Sequence, residues 1–451
     1  MEDARNLRGI VNEQFPETIR ELEELVRIPS CAFSGFDQAH VEASAEATRR
    51  LLATAGLQDT RIIEVPGGAP AVFGETPGPP GSPTVLLYAH HDVQPPGPID
   101  EWETDPYEPV IRNGRMFGRG TSDDKSGIVM HIAALRAFDG APPVTIKVIV
   151  EGEEEATSEH LDFLIGEHAE LLRCDAAIIA DSGMYERGRP GITTSIRGVL
   201  ELVIEVRVAE KAQHSGGFGG PAPDAIMALA RIISSCHDDR GNVTVPGMIR
   251  RTSDSSDPTY TEERFREDMG LRQGVALIGD GALTDRLWFG PTFNVVGIDA
   301  PTIREASSQI VPVARALVQM RLAPEQDPVE AMGLLSTHLR KSAPWGVEVT
   351  IEAEPVGRGY EVHPEGPAID AMLRAQRDAW GVEPMLMGMG GSIPIVPVFA
   401  DAVPQAEILM LGPGDELSAA HSINESVDLI ELERSCLAEA LFLRYLAEPL
   451  G

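Results

Sequence analysis

Lysine is almost missing from this chain: Lys125, Lys147, Lys211 and Lys341 are the only ones, so nearly every basic residue is arginine. That bias is read as one of coding, without functional content. Positive charge is scarce as a whole. The chain has 37 Lys and Arg against 70 Asp and Glu, a formal net charge of −33. Nucleic acid and anionic membranes are excluded as partners, because a polyanion would be repelled. The acids are scattered rather than blocked, so solubility is their ordinary role. Cysteine is scarce too. Cys31, Cys174, Cys236 and Cys436 lie far apart with no CxxC, which excludes a disulfide framework and fits buried thiols in a reducing compartment. No run of about 18 apolar residues occurs, and MEDARNLRGIVNEQ has no apolar core of a signal peptide. The expectation is a soluble, cytoplasmic protein. Internal repeats and low-complexity tracts are absent as well, and 451 residues exceed one ordinary core, so two domains are expected.

What is present is a series of polar residues where apolar runs stop. The run LLYAHHDVQP (86–95) ends in His90-x-Asp92. In an extended chain residues two apart face the same side, so an imidazole and the carboxylate that orients it can share one site. Two glycines and the acidic pair Asp123-Asp124 stand before a predicted helix over 126–138. The strand-like VTIKVIV (144–150) runs into Glu151-Gly-Glu153-Glu154-Glu155. The short strand AAIIA (176–180) ends in Asp181, and His421 follows the apolar run 408–411. Each signal alone is ordinary surface chemistry. Together they place two histidines and several carboxylates at strand ends, where open α/β sheets gather ligands. Five ligands exceed the needs of one tetrahedral ion, so the set suits two divalent metals.

The ordered motifs His90-x-Asp92, GRGTSDDK, EGEEE, IIADSG and AAHSINE resemble the M20 family of di-metal peptidases, particularly its carnosinase-like and Xaa dipeptidase branch. The resemblance runs from LVRIPS (25–30) to the last helix. It implies that His90 and Asp181 hold one metal, Glu155 and His421 the other, and Asp123 both. Asp92 would support His90, Glu154 would be the general base, and the Asp123–Asp124 peptide would be cis. Zn²⁺ is the default metal, and Mn²⁺ or Co²⁺ also suit this donor set. Neighbouring Glu154 and Glu155 would divide base and ligand roles by pointing to opposite sides of an extended segment.

The fold expected is α/β, a mixed-sheet di-metal hydrolase catalytic domain with an inserted α+β sandwich for lid and dimerisation. The catalytic domain would span 1–197 and 363–451, and the insert 198–362. Within the insert, 200–209 and 313–324 read as strands, 223–236 and 328–340 as helices, and the polar 241–290 as loops plus a helix. His214, in an HSG-x-x-GG-like loop, would reach the partner's site in a homodimer and stabilise the oxyanion. Arg321 would grip the substrate carboxylate. Gly390, Gly391 and Ser392 resemble the GGSIP loop beside that carboxylate, and His363 another substrate-side position.

Three departures stand out. Gly388 and Met389 replace the arginine-glutamate that normally precedes GGSIP, Gln309 stands where a lid threonine is usual, and DDKSG replaces DDKG. The expected activity is hydrolysis of small peptides, chiefly dipeptides with a free C-terminal carboxylate, by metal-activated hydroxide. The same site could serve an N-acyl amino acid deacylase. A catalytically silent metal- or ligand-binding homologue is the reading from another class, opposed by the intact Asp92, Glu154 and Glu155.

Overall fold

A computed structural model describes residues 2–156, 158, 160–252, 260–353 and 357–448. The chain divides into two compact units, one of Met1–Thr194, Val362–Met387 and Pro394–Gly451, the other of Ser195–Glu361 and Gly388–Ile393. Residues 388–393, expected with the last catalytic segment, therefore cluster with the insert. The cause is local: the Arg197 amide donates to the Gly391 carbonyl at 3.0 Å and the Ser392 hydroxyl to the Arg197 carbonyl at 2.7 Å.

The first unit is built on a mixed sheet. In spatial order its strands are Arg61–Ile63, Ala71–Thr76, Thr145–Glu151, Thr84–His90, Ala176–Ile179, Glu407–Met410 and Gly191–Ile196. The four from Thr145–Glu151 to Glu407–Met410 are mutually parallel. Strands covered on both faces read as continuous apolar runs, and Val85 to Ala89 are all buried. The helices Lys125–Arg136 and Leu429–Leu446 supply much of the covering, with Ile128, Ile132, Leu432, Leu437 and Leu441 in one core with Val85 and Leu87. Asp428 starts the last helix by accepting from the Ile430 and Glu431 amides. A small sheet of Ser426–Asp428, Arg115–Phe117 and Val110–Arg112 carries the chain from position 425 to the loop after Phe117.

The second unit holds an antiparallel sheet in the order Thr292–Asp299, Val313–Leu322, Gly198–Arg207, Glu348–Ala353. Burial alternates strictly along Gly198–Arg207, so Leu200, Leu202, Ile204 and Val206 face one core. The helices Ala225–Ser234 and Pro328–Lys341 bury Ala228, Leu229, Ile232, Leu335 and Leu339 in it. Both helices start on an aspartate: Asp224 accepts from the Met227 amide, Asp327 from that of Glu330. The period of two sends Arg321 to the opposite face from buried Met320 and Leu322. Residues 241–290, expected to hold one helix, contain two, Glu262–Met269 and Leu283–Trp288, with 253–259 outside the described residues.

Candidate metal centre

Four parallel strands deliver their carboxyl ends side by side. His90 closes one, Asp181 follows the strand ending at Ile179, Glu154 and Glu155 follow the strand ending at Glu151, and His421 follows the strand ending at Met410. Asp123 comes from the loop before the helix Lys125–Arg136, where its peptide bond to Asp124 is cis. His90, Asp123 and Asp181 form one group, and Asp123, Glu155 and His421 another, with the ligand atoms of each within 4.8 Å of one another. Asp123 divides its oxygens between them. Oδ1 lies 3.0 Å from His90 Nε2, and Oδ2 lies 2.9 Å from His421 Nε2. His90 Nε2 is also 3.8 Å from Asp181 Oδ1, and His421 Nε2 3.2 Å from Glu155 Oε2.

Asp92 does more than face His90. The Nδ1 of His90 lies 3.1 Å from the Asp92 carbonyl and 3.4 Å from its Oδ1. The same carboxylate accepts from the amides of Glu154 and Glu155, one on each oxygen, at 3.1 Å. Glu154 and Glu155 thus sit in a turn, not the extended segment expected, because Asp92 gathers both amides. Their side chains are separated by turn geometry instead of strand alternation. Glu154 belongs to neither histidine group, and its carboxylate accepts no hydrogen bond among the described residues.

Two supports escaped the sequence reading. Glu425 is fully buried and accepts from Arg119 Nη1 at 2.6 Å and from the amides of Gly120, Ser122 and Asp123 at 2.9–3.0 Å. It holds the loop that presents Asp123. Its signal was in plain view as the last residue of AAHSINE. Gln94 donates to Glu155 Oε2 at 2.7 Å, and no motif pointed to it. His91 and Asp124 serve locally: His91 Nε2 meets the Pro70 carbonyl, with burial pushing the ring down to about 4, and Asp124 Oδ2 accepts from the His90 amide.

The electrostatics are those of crowded acids. Burial would depress the His90 imidazole, but hydrogen bonds to Asp123, Asp181 and Asp92 hold it well above its usual range. Burial would likewise raise Asp123, and the hydrogen bonds from His421 and His90 outweigh it, holding that carboxyl well below the carboxylate range. His421 is raised to about 10 by Asp123 and Glu155. Burial pushes Asp181 up to about 6, and burial with the Asp181 charge raises Glu154 further. Two imidazoles cannot neutralise this many buried carboxylates. The donor set fits divalent cations, whose charge would relieve the repulsion.

The remaining candidates lie elsewhere. His363 is exposed in the first unit. His214, Arg321, Gly390, Gly391 and Ser392 belong to the second. His214 is exposed, pairs across two short strands with Gln309, and accepts the Gly216 amide on Nδ1 at 3.0 Å. That bond puts the proton of the neutral ring on Nε2, leaving it a donor. Arg321 Nη1 donates to Ser392 Oγ at 3.0 Å.

Known proteins resemble this chain in sequence and in fold. The chain is 36% identical over 410 residues, 90% of each sequence, to a cysteinylglycine-S-conjugate dipeptidase of Corynebacterium striatum. It is 30% identical over 382 residues to the Cys-Gly metallodipeptidase dug1 of Schizosaccharomyces pombe, covering 80% of this chain and 79% of the relative. In fold it is similar to the dipeptidase Dug1p of Saccharomyces cerevisiae, with a TM-score of 0.86 at 24% identity over 99% of both chains. Human carnosine dipeptidase 1 is alike in fold, with a TM-score of 0.85 at 23% identity over 98% of both. The model of peptidase family M20/M25/M40 matches residues 86–446, the span that contains every strand-end acid and histidine described above, and the chain belongs to that family of metal-dependent hydrolases.

Proposed function

We propose that this chain is a dipeptidase that cleaves the amide bond of dipeptides carrying a free C-terminal carboxylate. The observation that carries the reading is Asp123, which offers one oxygen to each of two histidine-acid groups while Glu154 stays outside both. His90 and Asp181 would hold one divalent ion and Glu155 and His421 the other, with Asp123 shared. Two imidazoles and three carboxylates suit Zn²⁺, and Mn²⁺ or Co²⁺ accept the same donors. Such ions supply Lewis acidity and a water acidic enough to attack at neutral pH.

The protein's own groups do the rest. Asp92 orients His90 and fixes the turn that presents Glu154. Glu154 takes a proton from the attacking water and passes it to the amine nitrogen as the C–N bond breaks, so no net proton is lost. Arg321 and Ser392 bind the free carboxylate, with the backbone at Gly390 and Gly391 beside it and His363 on the substrate side. His214 donates Nε2–H to the developing oxyanion.

We also propose that the protein works as a homodimer in which each subunit's His214 serves its partner. Mixing His214→Ala with Glu154→Ala protein should then restore about a quarter of the wild-type rate, since half the dimers of a random mixture carry one whole site. No recovery after demonstrated subunit exchange would refute the shared histidine. A reducing cytoplasm is proposed from the four buried free cysteines, and no described helix is long and apolar enough to cross a membrane.

The deciding experiment is hydrolysis of a panel of dipeptides and N-acetyl and N-succinyl amino acids by protein chelated and then reloaded with Zn²⁺ or Mn²⁺. Metal-dependent cleavage of dipeptides supports the proposal. Cleavage of acylated substrates alone would make the chain a deacylase, and silence on both would make it a binding protein.

A further inference from the structure

Arg197 was not singled out by any motif, yet it is a buried cation without a carboxylate. It is 7% exposed. Its Nε donates to the Gly390 carbonyl at 3.0 Å and its Nη1 to the Gly290 carbonyl at 3.3 Å. Its Nη2 has no hydrogen-bond partner among the described residues. A Cβ built at Gly390 would stand 2.9 Å from that Nη2, so a side chain there would crowd this edge of the guanidinium.

Arg321 is its neighbour through one hydroxyl: Arg321 Nη1 donates to Ser392 Oγ, which donates to the Arg197 carbonyl. Neither arginine has an acidic group within ion-pair distance among the described residues. The one charge felt by Arg197 is that of Arg321, and burial together with that charge pushes its basicity down to about 10. Glu201 acts on Arg321 from a distance, and its carboxylate is occupied by Gln319 Nε2 at 2.6 Å.

Met389 stands beside Gly390 where the resemblance expects glutamate. Its neighbour cannot revert, because a Cβ at Gly388 would lie 2.6 Å from the Trp288 Cβ and 2.8 Å from Ser195 Oγ. A buried and a half-buried guanidinium with no acidic group within ion-pair distance among the described residues are costly unless a ligand brings the missing negative charge. A simple C-terminal carboxylate brings one charge for two guanidiniums.

We propose that Arg197 and Arg321 form a two-guanidinium subsite selecting substrates whose C-terminal residue carries a second carboxylate, namely dipeptides ending in aspartate or glutamate. This rests on the assignment of Arg321 and Ser392 to the substrate carboxylate. One carboxylate meets Arg321 and Ser392, and the side-chain carboxylate meets the open Nη2 edge of Arg197. Aspartate and glutamate place their second acid at different reach, so the two also measure the spacing.

The test compares Ala-Glu with Ala-Gln and Ala-Asp with Ala-Asn on metal-loaded enzyme, together with calorimetric binding of free glutamate and glutamine. We expect the acidic member of at least one pair to have a KM lower by about tenfold, the worth of one charge-assisted contact. Free glutamate or aspartate should bind correspondingly tighter than its amide. Met389→Glu should bring the acid-to-amide ratio toward unity by supplying an internal carboxylate, and Met389→Gln, the same shape without charge, should preserve it. Equal KM and equal binding for acids and amides would overturn the subsite while leaving the dipeptidase reading intact. Cleavage of N-acetylglutamate over N-acetylglutamine, with all dipeptides refused, would overturn the dipeptidase reading and leave the subsite standing. A preference for acids unchanged in Met389→Glu would assign the selectivity to groups other than these arginines.

Discussion

Around Asp123 the supporting carboxylates are tied into place before any ligand arrives: Asp92 holds two amides and an imidazole, and Glu425 holds three amides and Arg119. Around Arg321 and Arg197 the partners are carbonyls and a hydroxyl, with no acidic group within ion-pair distance among the described residues. The first arrangement spends its hydrogen bonds on geometry, so that acids stay at fixed spacing despite mutual repulsion. The second leaves charge uncompensated, so that attraction is strongest for an incoming anion. Preorganised spacing serves a reaction, and uncompensated charge serves selection.

The contrast is broken most severely at Glu154, whose carboxylate accepts no hydrogen bond among the described residues. Glu154→Gln removes the proposed proton acceptor and should lower turnover about a thousandfold. Metal content measured by mass spectrometry should stay at the wild-type level, and loss of metal would move Glu154 into the ligand set.

Removing a support acts next. Glu425→Gln strips the charge that Arg119 and the Asp123 loop share and should destabilise the protein by about 3 kcal/mol, since a buried cation loses its partner. Chemical denaturation reads this, and an unchanged midpoint would mean that the loop is held by other contacts.

The smallest effect concerns Glu151, which burial pushes up to about 7 although it accepts from the Tyr88 hydroxyl at 2.8 Å. A folded-state pKa raised above the unfolded value stabilises the protonated form. Its contribution is therefore complete below about pH 4.5 and lost as pH rises through about 7. In chelated protein, Glu151→Gln should remove on the order of 2 kcal/mol of that pH dependence. An equally steep melting profile from pH 5 to 7.5 in the variant would refute the assignment.

Much of the catalytic unit was legible because period and position coincide. Apolar runs that end in His90, Glu151 and the segment before Asp181 became adjacent parallel strands, and the residues just beyond them became neighbours. In the second unit patterning gave the strands Gly198–Arg207 and Val313–Leu322 and the helices Ala225–Ser234 and Pro328–Lys341, but not the outer strands Thr292–Asp299 and Glu348–Ala353, and the mixed sheet was expected from the resemblance alone. What stayed hidden acts through backbone amides or across long stretches of chain. Glu425 and Gln94 sit in no spacing rule, because a carboxylate can accept an N–H from any residue the fold brings near. The turn at Glu154 was hidden for the same reason, since Asp92 creates it from 62 positions away. Arg197 stands at the single-residue break between the strands Gly191–Ile196 and Gly198–Arg207, and only the packing of residues 388–393 against it singles it out.

Glu425 and His421 also impose an order in time. Glu425 meets its partners across 302 to 306 positions of sequence. A ribosome releases the Asp123 loop long before it releases the residues that shape it. The centre therefore cannot close, nor its metals be held as described, until residues 421 to 425 have followed the Asp123 loop out of the ribosome.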